Sequence, residues 1–153
     1  MTALGEVNQR DGQGCLDVIK KEGGDLLNHL SEFKENDKYG SPLKFNYEIG
    51  EFSPTTLRYI KVLVELNSIF GNLNGLDIVE IGGGYGGQCK IISDVFDFRS
   101  YTILDLEAPL LLAQKYLRTL NVKNVNFLTR KKIDADKIYD LLISNYAFSE
   151  LTM

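Results

Sequence analysis

A glycine-rich turn between a short apolar run and an amphipathic segment constrains this chain more than any other feature of its sequence. Residues 76–81 read LDIVEI, and residues 82–88 read GGGYGGQ. The apolar run is rich in β-branched side chains, which is typical of a buried parallel strand. Glycines directly after such a strand allow a sharp turn and let a ligand approach bare backbone. The sequence therefore predicts a strand, a glycine loop and a helix in succession.

The rest of the second half alternates strand and helix patterns in the same way. Three further apolar runs follow, at residues 101–104, 125–128 and 139–143. A helical pattern separates the first two strands, and a second helix is predicted to begin near Pro109. Strands that alternate with helices form parallel sheets with right-handed crossovers. We therefore predict an α/β, Rossmann-like fold for residues 73–153.

The first half of the chain shows helical spacing instead. Residues 1–14 are polar and contain glycines, so we expect a loose tail. Residues 15–72 are predicted to form an N-terminal helical region with a loop over residues 35–47. Its clearest helix begins at Ser53-Pro54, because serine can cap a helix and proline suits its first position, and it ends at Gly71.

Composition excludes several classes of protein. The chain has 153 residues, with 17 Lys+Arg against 21 Asp+Glu, and this net charge of −4 disfavours a general nucleic-acid binder. The longest aliphatic run, residues 110–113, is far too short to span a membrane. Two distant cysteines and one histidine predict neither a disulfide framework nor a metal site. The polar N-terminus has no signal sequence, so we expect a cytoplasmic protein with reduced thiols.

The glycine cluster satisfies a nucleotide-binding fingerprint that several cofactor classes share. Gly82, Gly84 and Gly87 have the spacing G-x-G-x-x-G. A phosphate-binding P-loop is disfavoured, because Ile91 rather than serine or threonine follows Lys90. The fingerprint alone leaves a nicotinamide dinucleotide and a phosphate-free nucleoside both open.

Two carboxylates narrow this choice. Glu80 lies two residues before Gly82, where its negative charge would repel a diphosphate and favour a cationic ligand such as S-adenosylmethionine. Asp105 ends the second predicted strand and can accept hydrogen bonds from both ribose hydroxyls, a role for which Glu107 is close enough to compete. A ribose-binding aspartate occurs in enzymes of both cofactor classes. Only Glu80 therefore distinguishes S-adenosylmethionine from a nicotinamide dinucleotide.

Four blocks, in order, resemble a family of sugar O-methyltransferases within the class I S-adenosylmethionine-dependent enzymes. They are SPTTLRYI at residues 53–60, EIGGGYGGQ at 80–88, DLEAP at 105–109 and SNYAFSEL at 144–151. The resemblance implies methyl transfer from S-adenosylmethionine to a sugar or glycan hydroxyl, in surface-polysaccharide biosynthesis. It also implies the strand order 3-2-1-4 and a set of cofactor contacts: Glu80, Gly82, Gly84, Gly86, Asp105 and Asn145.

The same resemblance sets an expectation about what this chain lacks. Such enzymes have seven strands, whereas four are predicted here, so we expect the N-terminal part of such a fold with the edge of its fourth strand unpaired. An unpaired apolar edge invites self-association. The general base is not identified: we expect it on the strands that this chain lacks, and Tyr146 and Glu150, near the end of the fourth strand, are the candidates within the chain. A catalytically inactive fragment or interaction module and an NAD-binding oxidoreductase remain as alternatives.

Overall fold

The computed structural model describes residues 8–145. The chain divides into two compact units, with the division between Asn72 and Leu73. The first unit contains helices and a short hairpin, and the second contains the α/β sheet. Within the described range, none of the helices has the length and hydropathy that crossing a bilayer requires.

The first unit begins with helix α1, Gln9–Glu22. The sequence predicts a loose tail over residues 1–14, and this prediction is wrong for residues 9–14, which are helical. The helix starts early because the Asn8 side chain accepts a hydrogen bond from the Asp11 amide at 3.0 Å, while the Asp11 carboxylate accepts one from the Asn8 amide at 3.4 Å. This capping box satisfies amides that the first turn would otherwise leave unpaired.

Short elements occupy the segment between the two long helices. Helix α2, Leu30–Phe33, is flanked by 3-10 turns at Gly24–His29 and Lys34–Lys38. Strands β1, Phe45–Tyr47, and β2, Gly50–Phe52, form an antiparallel hairpin. The sequence predicted a loop at 35–47, and this hairpin was missed because strands of three residues are too short to show a clear alternation.

Helix α3, Pro54–Phe70, confirms the predicted start at Ser53 and end at Gly71, which has φ = +72°. Ser53 caps the helix by accepting a hydrogen bond from the Thr56 amide at 3.1 Å. The buried Asp37 carboxylate accepts three more bonds, from the Ser53 amide and from the hydroxyls of Ser53 and Thr56, each at 2.7 Å. The N-terminus of α3 is therefore fixed by a side chain 16 residues upstream.

The second unit is a four-stranded parallel sheet. Its strands are β3, Asp77–Ile81; β4, Ser100–Leu104; β5, Val125–Leu128; and β6, Leu141–Ile143. They lie in the order β5-β4-β3-β6, and every neighbouring pair is parallel. This confirms the predicted α/β fold and the order 3-2-1-4. Because the strands are parallel, the residues that follow β3, β4 and β6 meet at one edge of the sheet.

Two helices connect the first three strands of the sheet. Helix α4, Gly87–Ser93, follows β3, and helix α5, Glu107–Thr119, follows β4. Their apolar faces are buried together with the centres of β3 and β4. Leu141 and Ile143 of β6 are buried as well. The buried apolar side chains of these elements are Ile78, Val79, Cys89, Ile91, Ile92, Tyr101, Ile103, Leu110, Ala113, Tyr116, Leu117, Leu141 and Ile143.

Candidate functional site

The glycine loop, residues 82–86, turns the chain from β3 into α4. Three of its glycines have left-handed backbone angles, with φ of +72° at Gly82, +55° at Gly84 and +93° at Gly86. The Gly82 amide donates to the Leu104 carbonyl at 2.8 Å, which ties the start of the loop to the end of β4. Residues with a Cβ rarely adopt these angles, so this turn requires glycine at the three positions.

The space around the loop differs from one glycine to the next. A Cβ at Gly83 would lie 2.7 Å from Ile103 Cγ2, and one at Gly86 would lie 2.9 Å from Leu117 Cδ1. A Cβ at Gly84 would meet no atom within 4 Å. The loop is therefore packed against the protein at Gly83 and Gly86, and its backbone is open at Gly84.

Asp105 connects this open part of the loop to the end of β4. Its Oδ2 accepts a hydrogen bond from the Gly84 amide at 2.9 Å, and its Oδ1 accepts one from the Leu106 amide at 2.7 Å. The side chain is half-buried. An ionised carboxylate offers about four acceptor sites, so roughly two remain for the hydroxyls of a ligand.

Glu80 lies beneath the glycine loop, so the charge that the sequence predicts beside the ligand is buried and not exposed to it. The side chain is only 2% exposed, and its Oε2 accepts a hydrogen bond from the Tyr101 hydroxyl at 2.8 Å. Its Oε2 is also 3.2 Å from the position that a Cβ at Gly83 would take. Burial raises the pKa of Glu80 to about 7, opposed by the Tyr101 hydrogen bond and assisted by the negative charge of Asp105.

The end of β6 contributes Asn145 to the same edge. Its Nδ2 donates to Oε1 of the buried Gln88 at 3.2 Å, which links β6 to α4. Tyr146 and Glu150, the candidates for a general base, lie outside the described residues. The structure therefore brings Glu80, the glycine loop and Asp105 together, and it places Asn145 beside the helix that follows the loop.

The sequence does not identify Tyr101 and Gln88 as part of the site. It predicts only a strand at Tyr101, which lies two residues from Ile103, the register partner of Glu80. That spacing puts both side chains on one face of β4, which is the signal that could have identified Tyr101. Gln88 was part of the block at residues 80–88, but the sequence does not show that it meets Asn145.

Other features of the second unit lie away from this edge. A cavity of about 290 Å³ is lined by residues that precede β4 and β5, among them Phe98 and Asn124, and by the paired Lys90 and Asp94. It therefore belongs to the amino-terminal edge of the sheet. Within residues 8–145, no three His, Cys, Asp or Glu side chains lie together in a way that could hold a metal ion.

Several solved structures have a fold similar to that of this chain. No protein-family model matches the sequence, and no curated protein matches it. Among solved structures, a protein-L-isoaspartate O-methyltransferase is 16% identical with a TM-score of 0.54, and the match covers 87% of this chain and 47% of that one. Coclaurine N-methyltransferase bound to N-methylheliamine and SAH is 13% identical with a TM-score of 0.51, covering 90% and 49%.

A third similar structure is a mutant of MtNAS in complex with S-adenosylmethionine. It is 20% identical with a TM-score of 0.50, and the match covers 90% of this chain and 53% of that one. The chain thus spans about half the length of each of these structures. At these identities the likeness shows the fold, which is the Rossmann-like fold of methyltransferases.

Proposed function

We propose that the glycine loop and Asp105 bind S-adenosylmethionine, and that the chain is a methyltransferase or the N-terminal part of one. The observation that carries this proposal is the Asp105 carboxylate, bonded to the Gly84 amide where the loop backbone is open. It has acceptor capacity left for two adjacent ribose hydroxyls. Two proteins of the same fold support the choice of ligand, since one was solved with S-adenosylmethionine and the other with SAH.

Each residue of the site has a distinct part in this proposal. Asp105 orients the ribose, Gly82 and Gly86 hold the loop in shape, and Gly84 leaves open space where a side chain would otherwise stand. Asn145 stands at the end of β6, where it would approach the methionine end of the cofactor. The bound cofactor would supply an electrophilic methyl group on its sulfonium.

The acceptor that we propose is a sugar or glycan hydroxyl in surface-polysaccharide biosynthesis, in the cytoplasm. This rests on the resemblance of the four sequence blocks to sugar O-methyltransferases. An alcohol is a weak nucleophile, so the reaction needs a general base, for which Tyr146 and Glu150 are the proposed candidates. Methylation of a sugar by the purified chain tests this finer assignment.

The NAD alternative is disfavoured by the charge at the loop. Glu80 lies beneath the loop, so a diphosphate bound there would approach its carboxyl group, which is charged above about pH 7. Like charges at close range raise the energy of such a complex. Tighter binding of NAD than of S-adenosylhomocysteine would restore this alternative, and binding of neither would favour an inactive fragment or interaction module.

Changing Asp105 to alanine tests the proposed function directly. The unaltered chain should bind S-adenosylhomocysteine in a calorimetric titration, and Asp105→Ala should weaken binding roughly 10- to 100-fold, because one or two charge-assisted hydrogen bonds are lost. Asp97→Ala is the matched control, because Asp97 is exposed at the opposite edge of the sheet and should leave the affinity unchanged. Equal affinities of all three proteins would contradict the assignment.

We further propose that two copies of the chain associate through β6. Among residues 8–145, this strand forms one edge of the sheet, and Leu142 in it is 54% exposed. A second copy can pair with such an edge through its backbone amides and carbonyls. We expect a concentration-dependent dimer in sedimentation, reduced by Leu142→Lys. A monomer that persists over the whole concentration range would contradict this proposal.

A further inference from the structure

The Tyr101 hydroxyl is buried where no ligand can touch it. The side chain of Tyr101 is fully buried on β4, and its ring packs against the Phe98 ring at a centroid distance of 5.2 Å. Its hydroxyl donates to Glu80 Oε2 at 2.8 Å. The ring contact and the hydrogen bond together hold the phenol in a fixed position.

The register of the sheet explains how the two side chains meet. Tyr101 is paired with Ile78, and Ile103 is paired with Glu80, one step further toward the glycine loop. Paired residues of parallel strands project to the same face, so Tyr101 reaches diagonally to the carboxyl group. The phenol therefore approaches Glu80 from the side that lies away from the loop.

The Glu80 carboxyl group also lies close to Gly83 of the loop. A Cβ at Gly83 would lie 3.2 Å from Glu80 Oε2 and 3.3 Å from Glu80 Cδ. The carboxyl group therefore lies next to Gly83, and the phenol holds it there.

The groups around Glu80 act on its charge in opposite directions. Burial and the negative charge of Asp105 raise its pKa, and the Tyr101 hydrogen bond lowers it. Cys89, on α4, is a neutral neighbour, because burial and the charge of Glu80 raise the pKa of its thiol. Of these named groups, Tyr101 is the one that favours the ionised carboxylate.

We propose that Tyr101 is a positioning residue for the cofactor: its hydroxyl holds the Glu80 carboxyl group in place beneath the glycine loop. This rests on the proposed function, because it assigns Tyr101 a role in binding S-adenosylmethionine, whose sulfonium is favoured by a negative charge nearby. Tyr101 acts on the cofactor through Glu80, so its effect on affinity should depend on the protonation state of that side chain.

The variant Tyr101→Phe removes the hydroxyl and keeps the ring. Titration of the Glu80 carboxyl carbon by NMR, in protein labelled at glutamate, should show a midpoint about one pH unit higher than in the unaltered chain. The affinity for S-adenosylmethionine at pH 7 should fall roughly three- to tenfold, and the loss should shrink toward pH 9, where Glu80 is ionised in both proteins. Tyr47→Phe, which removes a hydroxyl in the first unit, is the control and should change neither quantity.

The double variant Tyr101→Phe/Glu80→Gln separates an effect through Glu80 from a general effect of Tyr101 on stability. Without a titrating group at position 80, removal of the hydroxyl should no longer change the affinity for S-adenosylmethionine. A loss of affinity that is the same at pH 7 and pH 9, or an unmoved midpoint, would overturn the role of Tyr101. Absence of binding by the unaltered chain would instead overturn the proposed function and this role with it.

Discussion

Replacement of Glu80 by glutamine is expected to stabilise the folded chain above pH 7. The pKa of the buried Glu80 is raised to about 7 from an ordinary value of 4.5, so the folded state binds its proton more tightly than the unfolded state does. The stability from this group is therefore complete below about pH 4.5 and is lost as pH rises toward 7. The loss amounts to roughly 3 kcal/mol at most, since one pKa unit is worth about 1.4 kcal/mol. Glutamine has no charge to bury, so it avoids this loss.

Denaturant unfolding of both proteins between pH 4.5 and pH 9 measures this effect. The free energy of unfolding of Glu80→Gln should exceed that of the unaltered chain by an amount that grows with pH and levels off above 8. Glu22→Gln, an exposed position at the end of α1, is the control and should show no such trend. A constant difference across the pH range would mean that Glu80 does not titrate as its burial requires.

The same variant should bind S-adenosylmethionine less tightly at pH 8. At that pH the unaltered chain carries an ionised carboxylate beneath the loop, and the neutral amide removes its attraction for a sulfonium, at a cost of roughly tenfold in affinity. S-adenosylhomocysteine has no sulfonium, so its affinity for the variant should fall less. A more stable protein with weaker cofactor binding is thus the expected outcome, and equal affinities for S-adenosylmethionine would refute the electrostatic role of Glu80.

Replacement of Gly86 by alanine is the second change with a large expected effect. The residue has φ = +93°, and a Cβ there would lie 2.9 Å from Leu117 Cδ1 and 3.1 Å from Leu117 Cγ. Backbone strain and overpacking together should destabilise the fold by roughly 2–5 kcal/mol. Because Gly86 also precedes α4, the glycine loop should shift, and the affinity for S-adenosylhomocysteine should fall at least ~10-fold.

Two other glycines provide matched comparisons for this variant. Gly84→Ala places a Cβ in open space at φ = +55°, so only backbone strain of about 1–2 kcal/mol is expected. Gly14→Ala lies in α1 with open space around it and should stabilise the chain by about 0.5–1 kcal/mol. Thermal unfolding should therefore rank the three variants with Gly86→Ala lowest, and equal effects at Gly84 and Gly86 would contradict the packing of Gly86 against Leu117.

The sheet could be predicted from sequence because each of its strands leaves a local signal. Residues 76–81 and 101–104 are short apolar runs with helices between them, and the structure has β3 and β4 within one residue of those bounds. The cap at Ser53 is equally local, since serine and proline act on the turn that follows them. What these features share is a physical cause confined to a few neighbouring residues.

The environment of the site could not be predicted in this way. The charge of Glu80 depends on its burial, and the hydrogen bond from Tyr101 joins residues that lie 21 positions apart. Likewise, the cap at Ser53 is completed by Asp37, within a segment that the sequence predicted as a loop. Such contacts follow from the register of strands and the docking of turns, which have no signature in a single window of sequence.

An NMR titration with S-adenosylhomocysteine tests directly whether the glycine loop and Asp105 bind the cofactor. We expect saturable shifts of the backbone amides of residues 82–86 and of Leu106, whose amide donates to Asp105. The amides around the cavity at Phe98 and Asn124 should remain unchanged. Unchanged amides in the glycine loop at saturating ligand, or shifts confined to the opposite edge of the sheet, would contradict it.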